Sequence, residues 1–448
     1  YERTYMHPNE FAHILGYISI PNQKDLNQIG INYADVPNLK VGKIGLEKNS
    51  NKSLLGTPGS AIYEVNAFGK RVKNVEKIDG INGSRIKTSI DKDIQIYAYQ
   101  QLKEKSGSVV VMNMYGRVLC CVSSPSYDPN KFTYGISYKD YDVLKKNEKK
   151  PLVNKAMTTT YPPASTFKMI VALSALENKI ITKNFRHTCK GKVDLYEQRY
   201  HCWKEKGHGR VNLKRAIKES CDIYFYEVAR LLGIDRLQKT AFRFGLGDYV
   251  FQDFFEEAKG LVPSTSWKRE ALGKSWYLGE TMISGIGQGY IKTTNVQLCK
   301  MIAQFANGGY QINASFFDSS DLALGKKIIE DDEHIELILK SLFEATNHSG
   351  GTSYRSRIAG AMKLAGKTGT AQVRKISESQ REQDLKNKDL PWKFRDHSLF
   401  TGYGPADNPK YAISVIIEHG GSGSAVAAPI ARNIMAKIFE KERKLNNV

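Results

Sequence analysis

The sequence is best approached from YPPASTFKMIVALSAL, which occupies residues 161–176. Two prolines precede an apolar run rich in Ala, Leu, Ile and Met, a pattern typical of a buried helix that begins just after the prolines. Ser165 is then expected at or near the helix N-terminus, and Lys168 follows one turn later on the same face. The stretch therefore predicts a serine and a lysine held side by side at the start of a core helix.

This pair of residue types has a chemical meaning. A serine hydroxyl is a weak nucleophile that needs an adjacent base, and a lysine can be that base if burial or a second cation lowers its pKa. The free N–H groups of a helix start also lie where an oxyanion would develop. Because Ser-x-x-Lys also arises by chance, the interpretation of Ser165 as nucleophile and Lys168 as base depends on the rest of the chain.

Length and charge narrow the classes of function. The chain has 448 residues, enough for one large domain and a smaller one, and its formal net charge is +20. Such a charge favours an anionic partner, for example a membrane surface or an acidic polymer. Nucleic acid is not expected, because neither an aromatic-plus-basic RNA-binding signature nor a zinc-finger spacing occurs. No segment reaches the roughly 18 consecutive apolar residues of a membrane span.

Two regions are separated by their patterns. Residues 1–85 are rich in Asn, Lys and Gly and contain short strand-like pieces, which predicts a small β-rich module. Residues 86–448 predict, in chain order, a helix over 94–102 capped by Asp91, strands over 107–113 and 118–122, a mostly helical middle from about 180 to 345, strands over 363–373, 399–403 and 411–418, and a helix over 429–444. This order indicates an α+β fold, with an antiparallel β-sheet flanked by helices and an all-helical subdomain. The charged stretch 374–395 predicts a loop.

Two further triplets matter for function. Ser220-Cys221-Asp222 falls at a predicted helix end, and Lys367-Thr368-Gly369 falls on a predicted strand. With Ser-x-x-Lys they reproduce, in order, the signature set of penicillin-binding proteins and serine β-lactamases. Further similar stretches occur at residues 8–17, 41–47, 161–169, 276–280, 284–289 and 365–372. On these residues the chain resembles the elongation-type class B penicillin-binding proteins over nearly its whole length.

The resemblance implies both a fold and an activity. Residues 86–448 would have the penicillin-binding/serine β-lactamase-like transpeptidase fold, and residues 1–85 would be the C-terminal part of a non-catalytic pedestal or dimerisation-type module. The activity would be that of a peptidoglycan D,D-transpeptidase, which forms 4→3 cross-links during cell elongation and is acylated by β-lactams. One alternative in the same fold is a serine β-lactamase or D,D-carboxypeptidase, although no separate carboxylate motif is placed to activate a deacylating water. Another is a non-catalytic penicillin-sensing or scaffold module.

The resemblance also assigns roles to the motif residues. Ser165 would attack the carbonyl of the penultimate D-Ala, and Lys168 would take its proton. Ser220 would relay a proton to the leaving D-Ala, while Lys367 would keep the local potential positive. Asp222 stands where many relatives have Asn, and it would either contact the substrate or orient Lys168.

The Lys-Thr-Gly triplet and the threonine that follows it are expected to bind the donor stem. Thr368 and Thr370, with Gly369 between them, would bind the terminal carboxylate of the pentapeptide. The N–H groups of Ser165 and Thr370 would form the oxyanion hole, in which each donor stabilises a transition state by about 3 kcal/mol.

A second cluster of reactive residue types lies between the motifs. Cys189, Cys202, His208 and Cys221 offer three thiols and an imidazole, a reasonable set for tetrahedral zinc. Because Cys221 lies inside the second triplet, a metal there would hold that triplet in place. Some elongation-type relatives have a zinc site in this part of the domain, which favours a structural Zn2+. Disulfide bonds and plain core thiols stay open as alternatives, and a neighbouring histidine could replace a ligand.

The resemblance finally implies surroundings for the enzyme. Its substrate would be the lipid-linked peptidoglycan precursor with its pentapeptide stems, and its partners would be a RodA-type glycosyltransferase and the MreC scaffold. An N-terminal membrane anchor would place the catalytic domain on the periplasmic side of the bacterial inner membrane. The basic surface would suit an anionic bilayer. No cofactor is expected for the chemistry itself.

Overall fold

The computed structural model describes residues 3–29, 36, 38–195, 198–252, 254, 256–318, 323–374 and 387–446. The chain divides into two compact units. The first comprises residues 1–88, 126–152 and 253–256, and the second comprises residues 89–125, 153–252 and 257–448. Within the described ranges, no helix is both long enough and apolar enough to cross a membrane.

The first unit mixes helices and strands. Its elements are α1 (Pro8–Leu15), β1 (Ile18–Ser19), α2 (Gln23–Ile29), β2 (Val41–Gly42), α3 (Gly45–Asn49), α4 (Asn51–Leu55), β3 (Ser60–Val65), β4 (Arg71–Ile78), α6 (Pro129–Tyr134) and α7 (Tyr138–Lys146). The prediction of a β-rich module agrees with the β3–β4 hairpin but is wrong for the residues before it. There the Asn, Lys and Gly content of the region hid the helix α1, which starts at a proline and buries Ala12, His13 and Ile14.

An antiparallel sheet is the centre of the second unit. Its strands are β5 (Gly107–Asn113), β6 (Val118–Ser124), β11 (Ala365–Ala371), β12 (His397–Gly404) and β13 (Tyr411–Ile417). Among the described residues their order across the sheet is β11-β12-β13-β5-β6, and every neighbouring pair is antiparallel. The strand that carries the Lys-Thr-Gly triplet is therefore an edge strand, with Lys367 opposite Thr401.

Helices make up most of the rest of this unit. They are α5 (Lys92–Gln101), α8 (Lys168–Glu177), α9 (Leu213–Lys218), α10 (Asp222–Leu232), α11 (Ile234–Arg243), α12 (Thr265–Leu272), α13 (Leu278–Ser284), α14 (Asn295–Ala306), α15 (Asp332–Asn347) and α16 (Ala427–Asn446). Asp91 caps α5 as predicted, since its side chain accepts from two backbone N–H groups of the first turn.

Helices cover both faces of the sheet, which confirms the predicted α+β arrangement. α5 and α16 share a buried apolar cluster with Val109 and Val111 of β5. α14 lies against the opposite face, where Asn295 Nδ2 donates to Ser108 Oγ at 2.9 Å. Successive side chains of a strand point to opposite faces, so β5 can pack against both layers.

The middle of the chain contains strands as well as helices. These strands are β7 (Arg186–Cys189), β8 (Lys192–Leu195), β9 (Gln198–His201) and β10 (Gly209–Asn212), which pair as β7 with β10 and β8 with β9. The prediction of an all-helical subdomain is therefore wrong for residues 186–212, although the middle of the chain is mostly helical as predicted. Strands of four residues, mostly polar and exposed, carry too short an alternation to be recognised in a sequence.

The predicted loop over 374–395 is described only in part. Residues 375–386 lie outside the described residues, while Asn387–Asp389 and Trp392–Phe394 each form a 3₁₀ turn just before β12.

Candidate active site

Ser165 sits on a tight turn at the start of the core helix. Residues Ala164–Phe167 form one 3₁₀ turn, and α8 continues directly from Lys168. The turn requires a strained residue, because Ala164 has a positive φ of 49°. Its N–H donates to Gly287 O at 2.9 Å, and a Cβ at Gly287 would lie 2.2 Å from Ala164 O. Only glycine at 287 therefore allows the backbone approach that holds the Ser165 turn.

Lys168 is fully buried and is bound by the second triplet. Its Nζ lies 2.8 Å from Asp222 Oδ1, 2.9 Å from Ser220 O and 3.2 Å from Ser220 Oγ. Ser220 lies in the turn between α9 and α10, as predicted, and has a positive φ of 57°. This backbone conformation presents both the carbonyl and the hydroxyl of one residue to one amine.

Lys367 approaches the same hydroxyl from the sheet. Its Nζ donates to Ser220 Oγ at 2.8 Å and to Thr368 O at 3.1 Å, and its side chain is fully buried. Burial, with the nearby charge of Lys168, holds the pKa of Lys367 well below its ordinary value, although Asp222 opposes the shift. The Ser220 hydroxyl thus lies between two lysine amines. We call Lys168, Ser220, Asp222 and Lys367 the amine cluster.

The remaining predicted residues line an open cleft beside this cluster. Ser165, Thr368, Gly369 and Thr370 lie along its wall, and its volume is about 1420 Å³. Among the described residues the Ser165 hydroxyl makes no hydrogen bond, and Lys168 is engaged with the second triplet instead. The structure thus brings all three motifs to one cleft, with the serine nucleophile candidate unengaged.

Three cleft residues outside the motifs contact Asp222, Thr368 or Thr370. The backbone N–H of Trp203 donates to Asp222 Oδ2 at 2.9 Å, and Gln288 Nε2 donates to Thr370 O at 3.3 Å. The third is Thr352, whose hydroxyl pairs with that of Thr368. Sequence reasoning did not single out any of the three as functional, although Trp203 directly follows a predicted metal ligand and Gln288 lies in a stretch that carried the resemblance.

The four predicted metal ligands meet in space. Cys189, Cys202, His208 and Cys221 are all buried, and their ligand atoms lie within 4.8 Å of one another. We call them the thiol cluster. His208 Nδ1 lies 3.6 Å from Cys189 Sγ and 3.5 Å from Cys202 Sγ, and His208 Nε2 is buried without a hydrogen-bond partner among the described residues. All six cysteines are free thiols.

This donor set fits a zinc ion. Three sulfur atoms and one imidazole nitrogen within one small sphere match the tetrahedral ligand sets of structural zinc. Hydrogen bonds from Cys221 and His208 lower the pKa of the Cys202 thiol, while burial raises the pKa of Cys189 and the hydrogen bond to Cys202 raises that of Cys221. Of the three thiols, Cys202 is therefore the one favoured as the thiolate that a metal needs. The other cysteines, Cys120, Cys121 and Cys299, are buried in the core.

Family models match both parts of the chain. The model described as the penicillin binding protein transpeptidase domain matches residues 107–436. The model described as the penicillin-binding protein dimerisation domain matches residues 1–88.

Individual relatives agree with these matches. The chain is 35% identical over 462 residues to the peptidoglycan D,D-transpeptidase MrdA of Salmonella typhimurium, covering 98% of this chain and 73% of that protein. It is similar to the crystal structure of Pseudomonas aeruginosa PBP2 in complex with WCK 5153, with a TM-score of 0.81 and 35% identity over 96% of this chain and 89% of the other. It is also similar to Helicobacter pylori PBP2 in a complex with MreC, with a TM-score of 0.87 and 31% identity over 97% and 78% of the two chains.

Proposed function

The chain belongs to the family of penicillin-binding protein transpeptidases, and from this premise we propose which residues perform its reaction and where it works. Its activity is that of a peptidoglycan D,D-transpeptidase of the PBP2 type. Residues 86–448 are proposed as the transpeptidase domain, and residues 1–85 as the C-terminal part of a pedestal or dimerisation-type module.

Ser165 is the proposed nucleophile. Its Oγ attacks the carbonyl of the penultimate D-Ala, the peptide bond to the terminal D-Ala breaks, and an ester to Ser165 remains. An amine of a neighbouring stem then attacks the ester and forms the 4→3 cross-link, which returns the hydroxyl. The strained turn at Ala164 supports this role, because it presents the serine to the cleft at the start of α8.

The amine cluster is the proposed route for the proton. Lys168 takes the proton of Ser165 Oγ, and Ser220 passes a proton to the nitrogen of the leaving D-Ala. The observation that carries this proposal is the position of Ser220 Oγ, 3.2 Å from Lys168 Nζ and 2.8 Å from Lys367 Nζ. A hydroxyl between two amines can accept a proton from one and donate its own onward. Asp222 orients Lys168 through their 2.8 Å ion pair.

The edge strand β11 is the proposed binding surface for the donor stem. Thr368 and Thr370, with Gly369 between them, hold its terminal carboxylate, and the N–H groups of Ser165 and Thr370 stabilise the oxyanion. These residues line the same cleft as Ser220, so the carboxylate and the scissile bond can be bound together.

Mass spectrometry of the intact protein after benzylpenicillin tests the assignment. One covalent adduct per chain is expected, and peptide mapping should place it on Ser165. A Ser165→Ala variant should form none, whereas a Ser126→Ala variant should be labelled like the wild type. An adduct that persists in Ser165→Ala would refute the nucleophile.

A chromogenic cephalosporin separates this activity from hydrolysis. A transpeptidase should release one equivalent of chromophore and then stall as an acyl-enzyme. Continuous turnover would instead favour the serine β-lactamase alternative, and failure to acylate would favour the scaffold alternative. Release of D-Ala from a pentapeptide without an acceptor amine would favour the D,D-carboxypeptidase.

The thiol cluster is proposed as a structural zinc site. Cys189, Cys202, His208 and Cys221 would hold the ion, which would supply a fixed cross-link and no chemistry of the reaction. Two links then reach the amine cluster, since Cys221 lies between Ser220 and Asp222 and Cys202 precedes Trp203, whose N–H bonds Asp222. Metal analysis of the purified protein should find one zinc per chain, and Cys202→Ser should remove it.

The proposed setting is the periplasmic face of the bacterial inner membrane. A membrane anchor, the lipid-linked precursor and β-lactam inhibition follow from the family, and the net charge of +20 suits an anionic surface. The Helicobacter pylori PBP2–MreC complex supports an MreC-type scaffold as partner, and a RodA-type glycosyltransferase is proposed on family grounds alone. Both partners are tested by co-purification with the tagged protein from solubilised membranes of cells that express it.

A further inference from the structure

The hydroxyl of Thr352 is paired with the hydroxyl of Thr368. Thr368 Oγ1 lies 3.0 Å from Thr352 Oγ1, and both residues line the cleft. Among the described residues no other side chain forms a hydrogen bond with the Thr352 hydroxyl. Thr352 belongs to none of the three motifs, yet it touches the residue proposed to bind the substrate carboxylate.

Hydrogen bonds to α15 and α9 fix the position of the segment around Thr352. Ser353 is buried, and both its N–H and its hydroxyl donate to Ala345 O, at 3.0 and 3.1 Å. A Cβ at Gly351 would lie 2.3 Å from the same carbonyl, so glycine is needed for the chain to pass this close to α15. The Thr352 N–H donates to Lys218 O at 3.3 Å, at the end of α9. Thr352 is thus fixed between the Lys-Thr-Gly strand and the helix that leads into Ser220.

The donor and acceptor roles of the two hydroxyls follow from the protons they carry. A threonine hydroxyl has one proton to donate, and an ionised carboxylate can only accept. In the free protein Thr368 donates to Thr352. To bind a carboxylate, Thr368 must turn its proton to the ligand, and its oxygen can then accept from Thr352. Hydrogen bonds to a charged acceptor are stronger than neutral ones, and consecutive bonds strengthen one another.

We propose that Thr352 is a positioning residue for carboxylate recognition: its hydroxyl supports the Thr368 hydroxyl when this donates to the terminal carboxylate of the donor stem or of a β-lactam. The proposal rests on the proposed carboxylate contact of Thr368. Thr352 acts through Thr368, so removing its hydroxyl weakens the binding of acids and leaves the acylation chemistry intact.

The test compares benzylpenicillin with its methyl ester, in which the carboxylate is masked. The dissociation constant of the initial complex and the acylation rate constant are measured separately for the wild type, Thr352→Val and Thr352→Ser. Valine keeps the shape but removes the hydroxyl, and serine keeps the hydroxyl. We expect Thr352→Val to raise the dissociation constant for the acid about tenfold, with the acylation rate constant changed less than twofold. The ester should be unaffected, and serine should restore wild-type values.

A matched control and a second variant complete the test. Thr240→Val removes a buried hydroxyl that pairs with Ser174 at 2.9 Å, away from the cleft, and should leave both ligands unaffected. If Thr352→Val fails to fold, Thr352→Ala is compared with Thr352→Ser in the same way.

The outcomes separate this inference from its premise. A wild type that binds acid and ester equally would overturn both the Thr368 contact and the role of Thr352. A wild type that prefers the acid, together with a valine variant that keeps the preference, would overturn the role of Thr352 alone. Equal losses for acid and ester would mean a merely structural role and would also overturn it.

Discussion

The amine cluster and the thiol cluster are two sets of buried polar side chains that are joined through the tripeptide Ser220-Cys221-Asp222, and they are stabilised differently. In the amine cluster every polar side chain has a partner from the protein, and Lys168 has a carboxylate at 2.8 Å. In the thiol cluster His208 Nδ1 lies 3.6 Å from Cys189 Sγ and 3.5 Å from Cys202 Sγ, and the ligand atoms of all four residues lie within 4.8 Å of one another. Buried polar groups need partners, so the first cluster is complete in the protein alone and the second fits an added cation.

The largest effect should come from breaking the amine cluster at Lys168. Lys168→Met removes the proposed base, and general-base catalysis contributes about 10²–10⁴-fold. We expect acylation by benzylpenicillin to fall about 10³-fold, with zinc content unchanged. The variant should also have a lower Tm, because Asp222 loses its ion-pair partner at 2.8 Å and keeps a buried charge.

The rate of labelled-penicillin adduct formation and the melting temperature, measured on the same preparation, check both expectations. A rate within tenfold of the wild type would remove Lys168 from the reaction.

The second effect separates the two lysines of the amine cluster. Lys367 forms no ion pair with a carboxylate among the residues that the structure describes, and burial holds its pKa well below the ordinary 10.5. Between this lowered pKa and 10.5 the unfolded chain binds a proton at this position that the folded protein does not bind, so the stability of the wild type rises with pH over that interval. Lys367→Met should lose acylation about 100-fold yet gain stability at pH 7.

Melting curves at pH 7 and pH 9 measure this difference. The gain in Tm of Lys367→Met over the wild type should be larger at pH 7 and shrink at pH 9. An equal gain at both values would contradict the lowered pKa of Lys367, and a loss at pH 7 would mean that its hydrogen bond to Ser220 outweighs its desolvation.

A smaller effect is expected from breaking the thiol cluster. Cys202→Ser should abolish zinc binding and lower the Tm by about 5 °C, because the cross-link between β9 and α10 is lost. Acylation should fall only about tenfold, since the cluster orients Asp222 and Ser220 from outside. Zinc content, Tm and acylation rate are measured together, with Cys299→Ser as the matched buried thiol. Unchanged zinc content in Cys202→Ser would remove Cys202 from the ligand set.

The smallest effect concerns a histidine outside both clusters. Burial and the nearby His419 lower the pKa of His397 to about 3, against an ordinary value of 6.5. Its contribution to stability is therefore complete above about pH 6.5 and is lost as the pH falls towards 3. The backbone N–H of His419 donates to His397 Nδ1 at 3.0 Å, and His397→Asn keeps an acceptor for it. The Tm of this variant should fall less between pH 7 and pH 5 than the Tm of the wild type. His7→Asn, at an exposed position, is the control and should follow the wild type.

Much of the site could be predicted because its chemistry is local in the sequence. Ser165 and Lys168 are one turn apart, and the turn that contains Ser220 is visible between two helical patterns. The strand that carries Lys367 could be predicted from its pattern near the end of the chain, whereas its edge position comes from the structure. The meeting of the three motifs was available only through the family resemblance, because pairing across 200 residues leaves no periodicity in the sequence.

The missed features have physical causes as well. The four strands over 186–212 are too short and too polar to show an alternation, and the eight-residue helix α1 is too short to show a helical periodicity within a region rich in Asn, Lys and Gly. Thr352 could not be found because its role depends on a contact with Thr368, sixteen residues away on another element. A hydroxyl pair of this kind has no signature until the backbone is in place.

The close approach of Gly287 to Ala164 bears on how β-lactam resistance can evolve in this enzyme. The contact that supports the nucleophile turn is made by backbone alone, and any side chain at 287 would collide with a carbonyl. A substitution at Gly287 that lowers β-lactam affinity would therefore also disturb the nucleophile turn and lower activity. Adaptive change is channelled instead to cleft side chains such as Gln288 and Thr352, where single substitutions can alter ligand discrimination while the turn survives.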